Sequence, residues 1–398
     1  MLKTDSTGPS IALVLGGHVN GYSIIKELYQ HDIKNIALFD LGKSLARYSN
    51  KVMYRARIDK TSQCLLSEIR QLHKSYAYIV IYPTDDLQLE NLFAIYDQIK
   101  DFCYVPFNPK NLMNCLDKAY QYKVCEDIAV PCPKAISIKT LIDLENIDQL
   151  IFPLVIKPST RKDLVLDVFR ILYLETENDY LRQKKNLTAY IEQGFEFVVS
   201  EYIPGDDTNI YAYTCFRSQQ GEILNSWTGK KLTQYPDSYG VFSSASNQAP
   251  EIIEQQGQAL ANALDAYGII EPEFKYDFRD GKFKLTEINL RSMMWHRTGY
   301  ASGVMLQKTQ FNYATRRLTK KMLQNKAESI HFVLMLHEIP NLIARKGYWK
   351  YFKYNVFSGD RRVWAIFEWQ DLKPFFYSLT LLSKMAVSAC LRRFGRVK

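Results

Sequence analysis

The chain has 398 residues, 47% of them apolar and 23% charged, an ordinary globular composition that excludes wholesale disorder, a collagen-like rod and a coiled coil. That length suggests two or three domains with cores of their own, so folding needs neither disulfides nor a structural metal. The formal net charge is +9, from 51 basic and 42 acidic residues, and it is unevenly placed. Residues 340–398 hold 12 basic and 3 acidic residues, so the whole excess lies in that segment and the rest of the chain is neutral. A nucleic-acid-binding body carries a basic footprint; this body has none, and nucleic acid is not an expected partner. The seven cysteines form no CxxC pair and have no histidine at zinc spacing, which reads as reduced thiols in a cytoplasmic protein. The opening MLKTDSTGPS lacks the apolar core of a signal peptide. No run of 18 uncharged apolar residues occurs, so no conventional transmembrane helix is predicted.

In chain order, residues 11–17 (IALVLGG) form an apolar run ending in two glycines. A helical pattern over 22–31 and a second apolar run over 36–40 follow, the outline of a βαβ unit. Residues 78–82 predict another strand, ending in Pro83-Thr84-Asp85-Asp86, with a helix over 87–100 and a strand over 104–106 after it. Residues 1–112 therefore read as a small parallel α/β domain, whose ligand-facing ends are Gly16-Gly17-His18 and Pro83-Thr84-Asp85; Asp85 is more naturally a helix cap. A helix over 112–129 stops at the X-Pro steps of Pro131 and Pro133. Strands are predicted over 154–157, 197–203, 209–217 and 223–227, a helix over 251–267 with Gly268 at its end, and strands over 271–276 and 282–289 around a turn.

That last pair carries the most information. Arg279-Asp280-Gly281 suits a three-residue hairpin loop with a left-handed glycine last. The register pairs Phe278 with Lys282 and sets Glu273 opposite Glu287, with Asn289 two residues further along the same face. Like charges directly opposite one another are destabilising unless something positive lies between them. Two carboxylates and an amide oxygen suit magnesium that also bridges nucleotide phosphates. Asp277 shares the face about 13 Å nearer the turn at ordinary strand rise, so either Glu273 or Asp277 is open as the second ligand beside Glu287. Arg291 follows on the same side, where it would reach an anionic oxygen. Taken alone, the hairpin is equally well read as a surface ribbon with solvated charges.

Other residues fall into order around it. Lys157 ends an apolar strand and projects from its end as a phosphate ligand. Lys118 opens the helix after the first domain. Glu201-Tyr202-Ile203-Pro204-Gly205 has the form of a hinge whose backbone would bond a nucleobase edge, with Asp207 placed for ribose hydroxyls. Each of these, alone, is an ordinary lysine or an ordinary Pro-Gly turn.

Together they resemble the ATP-grasp superfamily over about residues 11–310, most specifically in EFKYDFRDGKFKLTEINLR, and within it the carboxylate–amine ligases related to D-aspartate ligase and to carbamoyl-phosphate synthetase halves. The resemblance implies an α/β (α+β ATP-grasp) fold: a Rossmann-like pre-ATP-grasp domain (1–112), a small lobe (113–195), a large lobe with the magnesium site (196–335) and a basic aromatic C-terminal extension (336–398). It implies ATP and Mg2+ as cofactors. Lys118 and Lys157 would bind phosphates, Glu201, Tyr202 and Ile203 adenine, and Asp207 ribose. Glu273, Glu287 and Asn289 would hold magnesium, with Arg291 and Lys231 acting at the reacting centre. The activity implied is formation of an acyl phosphate from a carboxylate, then of an amide by an amine. One departure stands out: such enzymes often carry a glycine-rich loop after the second lysine, and residues 158–193 contain no glycine. Arg161 and Lys162 would have to cover the phosphates instead. A nucleotide-binding protein without turnover, or a different ATP-grasp reaction (carboxylation or phosphoryl transfer), are the alternatives.

The substrate pocket is expected beside Lys230, Lys231 and the segment 293–300 (MMWHRTGY), with His296 and Arg297 as candidates to bind a carboxylate or position the amine, or else as core residues. The final segment holds three of the five tryptophans, a largely apolar stretch over 374–391 and a basic end. Aromatics, an apolar helix and cations describe an interfacial anchor on an anionic membrane. The expected partners are then a small-molecule or lipid-linked carboxylate and an amine, in cell-surface polymer assembly. The expected location is cytoplasmic, with peripheral attachment at the inner membrane face; a homodimer is compatible with it.

Overall fold

Residues 11–15 and 78–82 are unbroken apolar runs, and both are buried, as strands covered on two faces must be. They are the inner strands of a five-stranded parallel sheet. Its members are β1 (Ser10–Leu15), β2 (Ile36–Asp40), β3 (Tyr54–Arg57), β4 (Tyr78–Tyr82) and β5 (Cys103–Tyr104), in the order β3-β2-β1-β4-β5. The computed structural model describes residues 8–159, 168–236 and 240–393. Strand order reverses between β1 and β4, where a crevice opens at the strand ends. Gly16 takes φ +86° there, and a Cβ on Gly21 would meet the Gly16 carbonyl oxygen at 1.9 Å. The helix Val19–Gln30 can start so close to β1 only with glycine at 21. Asp85 is a helix cap, accepting from the Gln88 amide at 2.9 Å.

The helix expected over 112–129 is split into Leu112–Leu116 and Lys118–Asp127. Asp117 makes the break: its carboxylate accepts from the Ala119 amide at 2.7 Å and restarts the helix, leaving Lys118 as the first residue of the second piece. Next comes an antiparallel sheet of β6 (Ala135–Ile138), β7 (Leu154–Pro158), β8 (Leu172–Leu174) and β9 (Phe197–Glu201), in the order β6-β9-β7-β8. The helix Glu177–Glu192 covers it, started by a reciprocal Thr176–Asp179 capping box. Leu154, Ile156, Leu187, Phe197 and Val199 form its separate core.

The largest sheet has seven strands: β10 (Ile210–Arg217), β11 (Ile223–Tyr235), β12 (Val241–Ser246), β13 (Gly268–Asp277), β14 (Lys282–Asn289), β15 (Ile330–Val333) and β16 (Arg361–Trp364). Their order is β14-β13-β10-β11-β12-β15-β16. The β13–β14 hairpin corrects the expected register at its tip. Asp277, not Phe278, faces Lys282, and the turn is one residue longer than expected. A bulge after Glu273 takes up the difference, so Glu273 does face Glu287.

The C-terminal segment is not a loose basic tail. β16 lies parallel to β15 as the edge of the large sheet. The helix Met335–Ala344 buries Glu338 completely, and the first domain reaches across to the same segment: Lys26 Nζ donates to the Ala365 carbonyl at 2.8 Å and Tyr22 Oη to Asp371 Oδ2 at 3.1 Å. The helix Leu372–Arg393 closes the chain. Its residues 372–391 are long and apolar enough to cross a membrane, with mean hydropathy 1.3, although Lys384 interrupts the apolar run in the sequence. All seven cysteines are free thiols.

Candidate functional site

The four-stranded sheet and the large sheet face each other across a cleft of about 380 Å³. Residues from β7, β9, the 201–207 loop, β11, β13 and β14 line it, among them Lys157, Lys231, Glu273 and Glu287. A narrower cavity opens beside it, where Lys118, Lys157, Glu287 and Asn289 meet Asp86 and Arg170. Of the residues singled out in the sequence, Asp277, Lys230, Arg291, His296 and Arg297 line neither space.

Lys157 is carried to the cleft by β7, where Leu154 and Ile156 are held in the core of the four-stranded sheet. Its Nζ lies 3.5 Å from the Thr286 carbonyl oxygen. Burial lowers the ammonium below the usual lysine range, although Glu287 and Glu273 oppose this. Lys118 Nζ lies 3.1 Å from the Pro158 carbonyl, just beyond Lys157, so the two lysines approach the same space from different elements.

Glu273 and Glu287 face each other. A cation does lie beside them: Lys231 Nζ is 2.7 Å from Glu273 Oε2. Asn289 Nδ2 is 3.3 Å from Glu273 Oε1. Burial pushes the Glu273 carboxyl up to about 7, with Lys231 opposing and Glu287 reinforcing the shift. Burial also pulls on Lys231, but the attraction of Glu273 and Glu287 outweighs it and holds the ammonium above its ordinary value. Among the described residues no three His, Cys, Asp or Glu side chains form a metal cluster. Two carboxylates and an amide oxygen are donor types that would suit a hard cation taking its remaining ligands from elsewhere.

Asp277 stands apart from this group. It is fully buried and bonded to Arg279 Nη2 and Lys284 Nζ, each at 2.7 Å, so its oxygens serve the hairpin tip. Arg291 Nε is 2.6 Å from Asp86 Oδ1, which ties the end of β14 to the crevice of the first sheet. Burial lowers Arg291, but Asp86 outweighs it and raises the guanidinium.

The 201–207 loop differs in detail from expectation. The Glu201 carboxylate turns back to accept from the Ile151 amide at 3.1 Å, and the Tyr202 amide donates to the Pro153 carbonyl at 2.8 Å. Ile203 is buried against the cleft. Asp207 is also buried, and both of its oxygens are engaged: the Gln234 amide lies 3.0 Å from Oδ2 and Gln234 Nε2 2.6 Å from Oδ1. His296 and Arg297 are core residues in this structure. His296 Nε2 is 2.6 Å from Glu271 Oε2, Trp295 stacks on Phe242, and Arg297 bonds Gln30 at 3.0 Å.

Sequence reasoning did not single out Arg170, Lys275, Gln234, Glu271, Asp86 or Arg345. Lys275 had a signal, since it alternates with Glu273 on one face of β13; burial lowers it to about 8. Arg170 and Arg345 had none, because each reaches the cleft from a distant loop or helix end.

No family model matches the chain. Over 239 residues it is 27% identical to D-aspartate ligase of Enterococcus faecium (strain Aus0004), covering 57% of this chain and 56% of that one. The match thus spans about half the length of that curated relative. Among solved structures, the ADP complex of the N5-carboxyaminoimidazole ribonucleotide synthetase purK superposes with TM-score 0.64 at 15% identity, covering 86% of each chain. The biotin carboxylase domain of Hydrogenobacter thermophilus 2-oxoglutarate carboxylase, with MgADP, gives 0.63 at 16% identity, covering 79% of this chain and 72% of that one. The chain has the ATP-grasp fold. A third ATP-grasp structure, L-amino acid ligase from Bacillus licheniformis, gives 0.57 at 14% identity over 79% of this chain and 76% of that one.

Proposed function

We propose that the chain is an ATP-dependent carboxylate–amine ligase that forms an amide through an acyl phosphate. The observation that carries this reading is the convergence of Lys118, Lys157, Glu273, Glu287 and Asn289 on one interlobe space, three of them from a single hairpin. The nucleoside end would lie against Ile203, Tyr202 and Asp207, and the phosphates against Lys157 and Lys118. Glu273, Glu287 and Asn289 would hold magnesium, which when bound would neutralise charge on the β- and γ-phosphates. A substrate carboxylate oxygen attacks the γ-phosphorus and ADP departs. An amine then attacks the acyl carbon, and phosphate leaves with the carboxylate oxygen that formed the bridge. Lys157 and Lys118 supply fixed positive charge where negative charge gathers. Lys231 holds Glu273 in place, and Arg291 would act beside Asp86 at the edge of the site. No protein nucleophile is required.

The match to D-aspartate ligase supports an amino acid as one of the two substrates; a cell-wall or other cell-surface precursor is the other in this reading. The C-terminal helix supports work at an anionic membrane surface. Phe376 and Val387 are exposed on it, Trp369 lies exposed just before it, and Lys373 and Lys384 accompany them. Beneath its start, Trp364, Phe367, Phe375 and Leu379 line an apolar cavity of about 290 Å³. The loop in which Arg161 and Lys162 were expected to cover the phosphates lies outside the described residues, as does the end of the basic terminus at 394–398. A homodimer is part of the proposal, as in the dimeric 2-oxoglutarate carboxylase domain.

The test is ADP release by the purified chain with pooled acids and pooled amines. Stimulation that needs both pools, with an amide product, supports the ligase. ATP binding with no stimulated turnover would favour a non-catalytic nucleotide-binding protein. A phosphorylated or carboxylated product would favour another ATP-grasp reaction.

A further inference from the structure

Lys275 stands on β13 two residues beyond Glu273, about 7 Å further along the same face at ordinary strand rise, and its side chain lines the interlobe cleft. Among the described residues its ammonium forms no hydrogen bond and no ion pair. Its close contact is with the Tyr202 ring, whose centre is 4.9 Å from Nζ. The carboxylates around it are committed elsewhere and act on it only at a distance. Glu273 is held by Lys231, and Asp277 by Arg279 and Lys284. Asp206 Oδ1 accepts from the Thr208 amide at 3.0 Å and from its hydroxyl at 2.6 Å. Asp207 accepts from Gln234, whose own carbonyl accepts from Asn341 Nδ2 at 2.8 Å. Lys284 lies directly opposite Lys275 across the hairpin and is paired with Asp277 and Asp280. Of these two facing lysines, Lys275 is the one left for a ligand.

An ammonium carries three donors and no acceptor, so its complement in a ligand is an acceptor atom. The contact with Tyr202 places Lys275 at the end of the cleft assigned to the nucleoside, away from the phosphate lysines. On adenine the acceptors are the ring nitrogens, since the exocyclic amino group only donates. The apolar stem of Lys275 can stay against Ile210, its direct neighbour on β10 and also a cleft residue, while the head reaches the ligand. We propose that Lys275 is a base-reading residue of the nucleotide site, donating a hydrogen bond to a ring nitrogen of the purine. This rests on the cleft being the nucleotide site. One strand then serves both ends of the nucleotide, with Glu273 toward the metal and phosphates and Lys275 toward the base.

The experiment is a set of equilibrium affinities for ATP and for 1-deaza-, 3-deaza- and 7-deaza-ATP, each of which replaces one ring nitrogen by carbon, with the full chain and with Lys275→Met. Methionine keeps an unbranched stem and removes the donor. Loss of one charge-assisted hydrogen bond corresponds to about a tenfold change in affinity. Lys275→Met is expected to weaken ATP about tenfold with the melting temperature unchanged. One deaza analogue should bind the parent chain about tenfold more weakly than ATP and lose nothing further in Lys275→Met, which a merely structural role would not produce. Equal weakening of ATP and all three analogues by the substitution would overturn the inference. Unchanged ATP affinity in Lys275→Met, with ATP bound by the parent chain, would overturn it while leaving the ligase proposal standing. A parent chain that binds no ATP would overturn both.

Discussion

Lys231 Nζ and Glu273 Oε2 stand 2.7 Å apart, with the two side chains 9% and 3% exposed. The pair explains how a buried Glu273 can face the half-buried Glu287 across a hairpin. Breaking a buried pair by removing one partner costs about 3–5 kcal/mol. Lys231→Met is therefore expected to lose about that much stability in urea. Magnesium at millimolar concentration should restore part of it, and more than it adds to the parent chain. Stability unaffected by the substitution would contradict the role given to Lys231.

Glu287→Gln removes a proposed metal oxygen but keeps the shape of the side chain. Magnesium-dependent ADP release should fall by about a hundredfold or more, in line with the loss of a transition-state electrostatic group. The circular dichroism spectrum should be unchanged. Near-normal turnover would remove Glu287 from the site.

Asp277 predicts a pH dependence. Its bond to Arg279 is the largest influence and, with Lys284, holds the carboxyl well below the usual range despite burial. A carboxyl depressed in the folded state protonates first in the unfolded chain. Its stabilisation is therefore complete above the unfolded value of about 4 and declines as pH falls toward the folded one. The stability difference between the parent chain and Asp277→Asn should be flat from neutral pH to about 5, then shrink below that. A difference that grows on acidification would contradict the assignment.

Much of this was legible in the sequence because alternation and continuity are local signals. The runs 11–15 and 78–82 could be little else than buried strands, and Glu273 and Glu287 could be paired from the turn between them. The pairing came out right even though the tip register was off by one residue, because the bulge after Glu273 compensated. Bulges leave no reliable mark in a single sequence. β16 and the helix Met335–Ala344 were illegible for a different reason. Their place depends on β15, Lys26 and Gln234, partners distant in the chain, and a charge count sees only basic residues. Asp207 has a comparable distant partner: Gln234, 27 residues on, donates to both of its oxygens, which no local signal reveals.

The helix Leu372–Arg393 offers a test of membrane attachment that spares the core. Phe375 and Tyr377 pack against the body, so deleting the helix would uncover apolar surface. Phe376 and Val387 are 60% and 61% exposed, and Phe376→Ser with Val387→Ser should leave folding intact. Sedimentation with phosphatidylglycerol vesicles should fall several-fold and become more sensitive to salt, as remaining binding relies on charge. Unchanged sedimentation would contradict the anchor.

The central claim is that a substrate carboxylate becomes an acyl phosphate in the interlobe cleft, and transfer of heavy oxygen tests it most directly. With an accepted acid labelled in both carboxylate oxygens, and with amine, ATP and magnesium present, the account predicts one labelled oxygen in the released phosphate for each amide formed. Phosphate released without label, at the same rate with or without the acid, would contradict it.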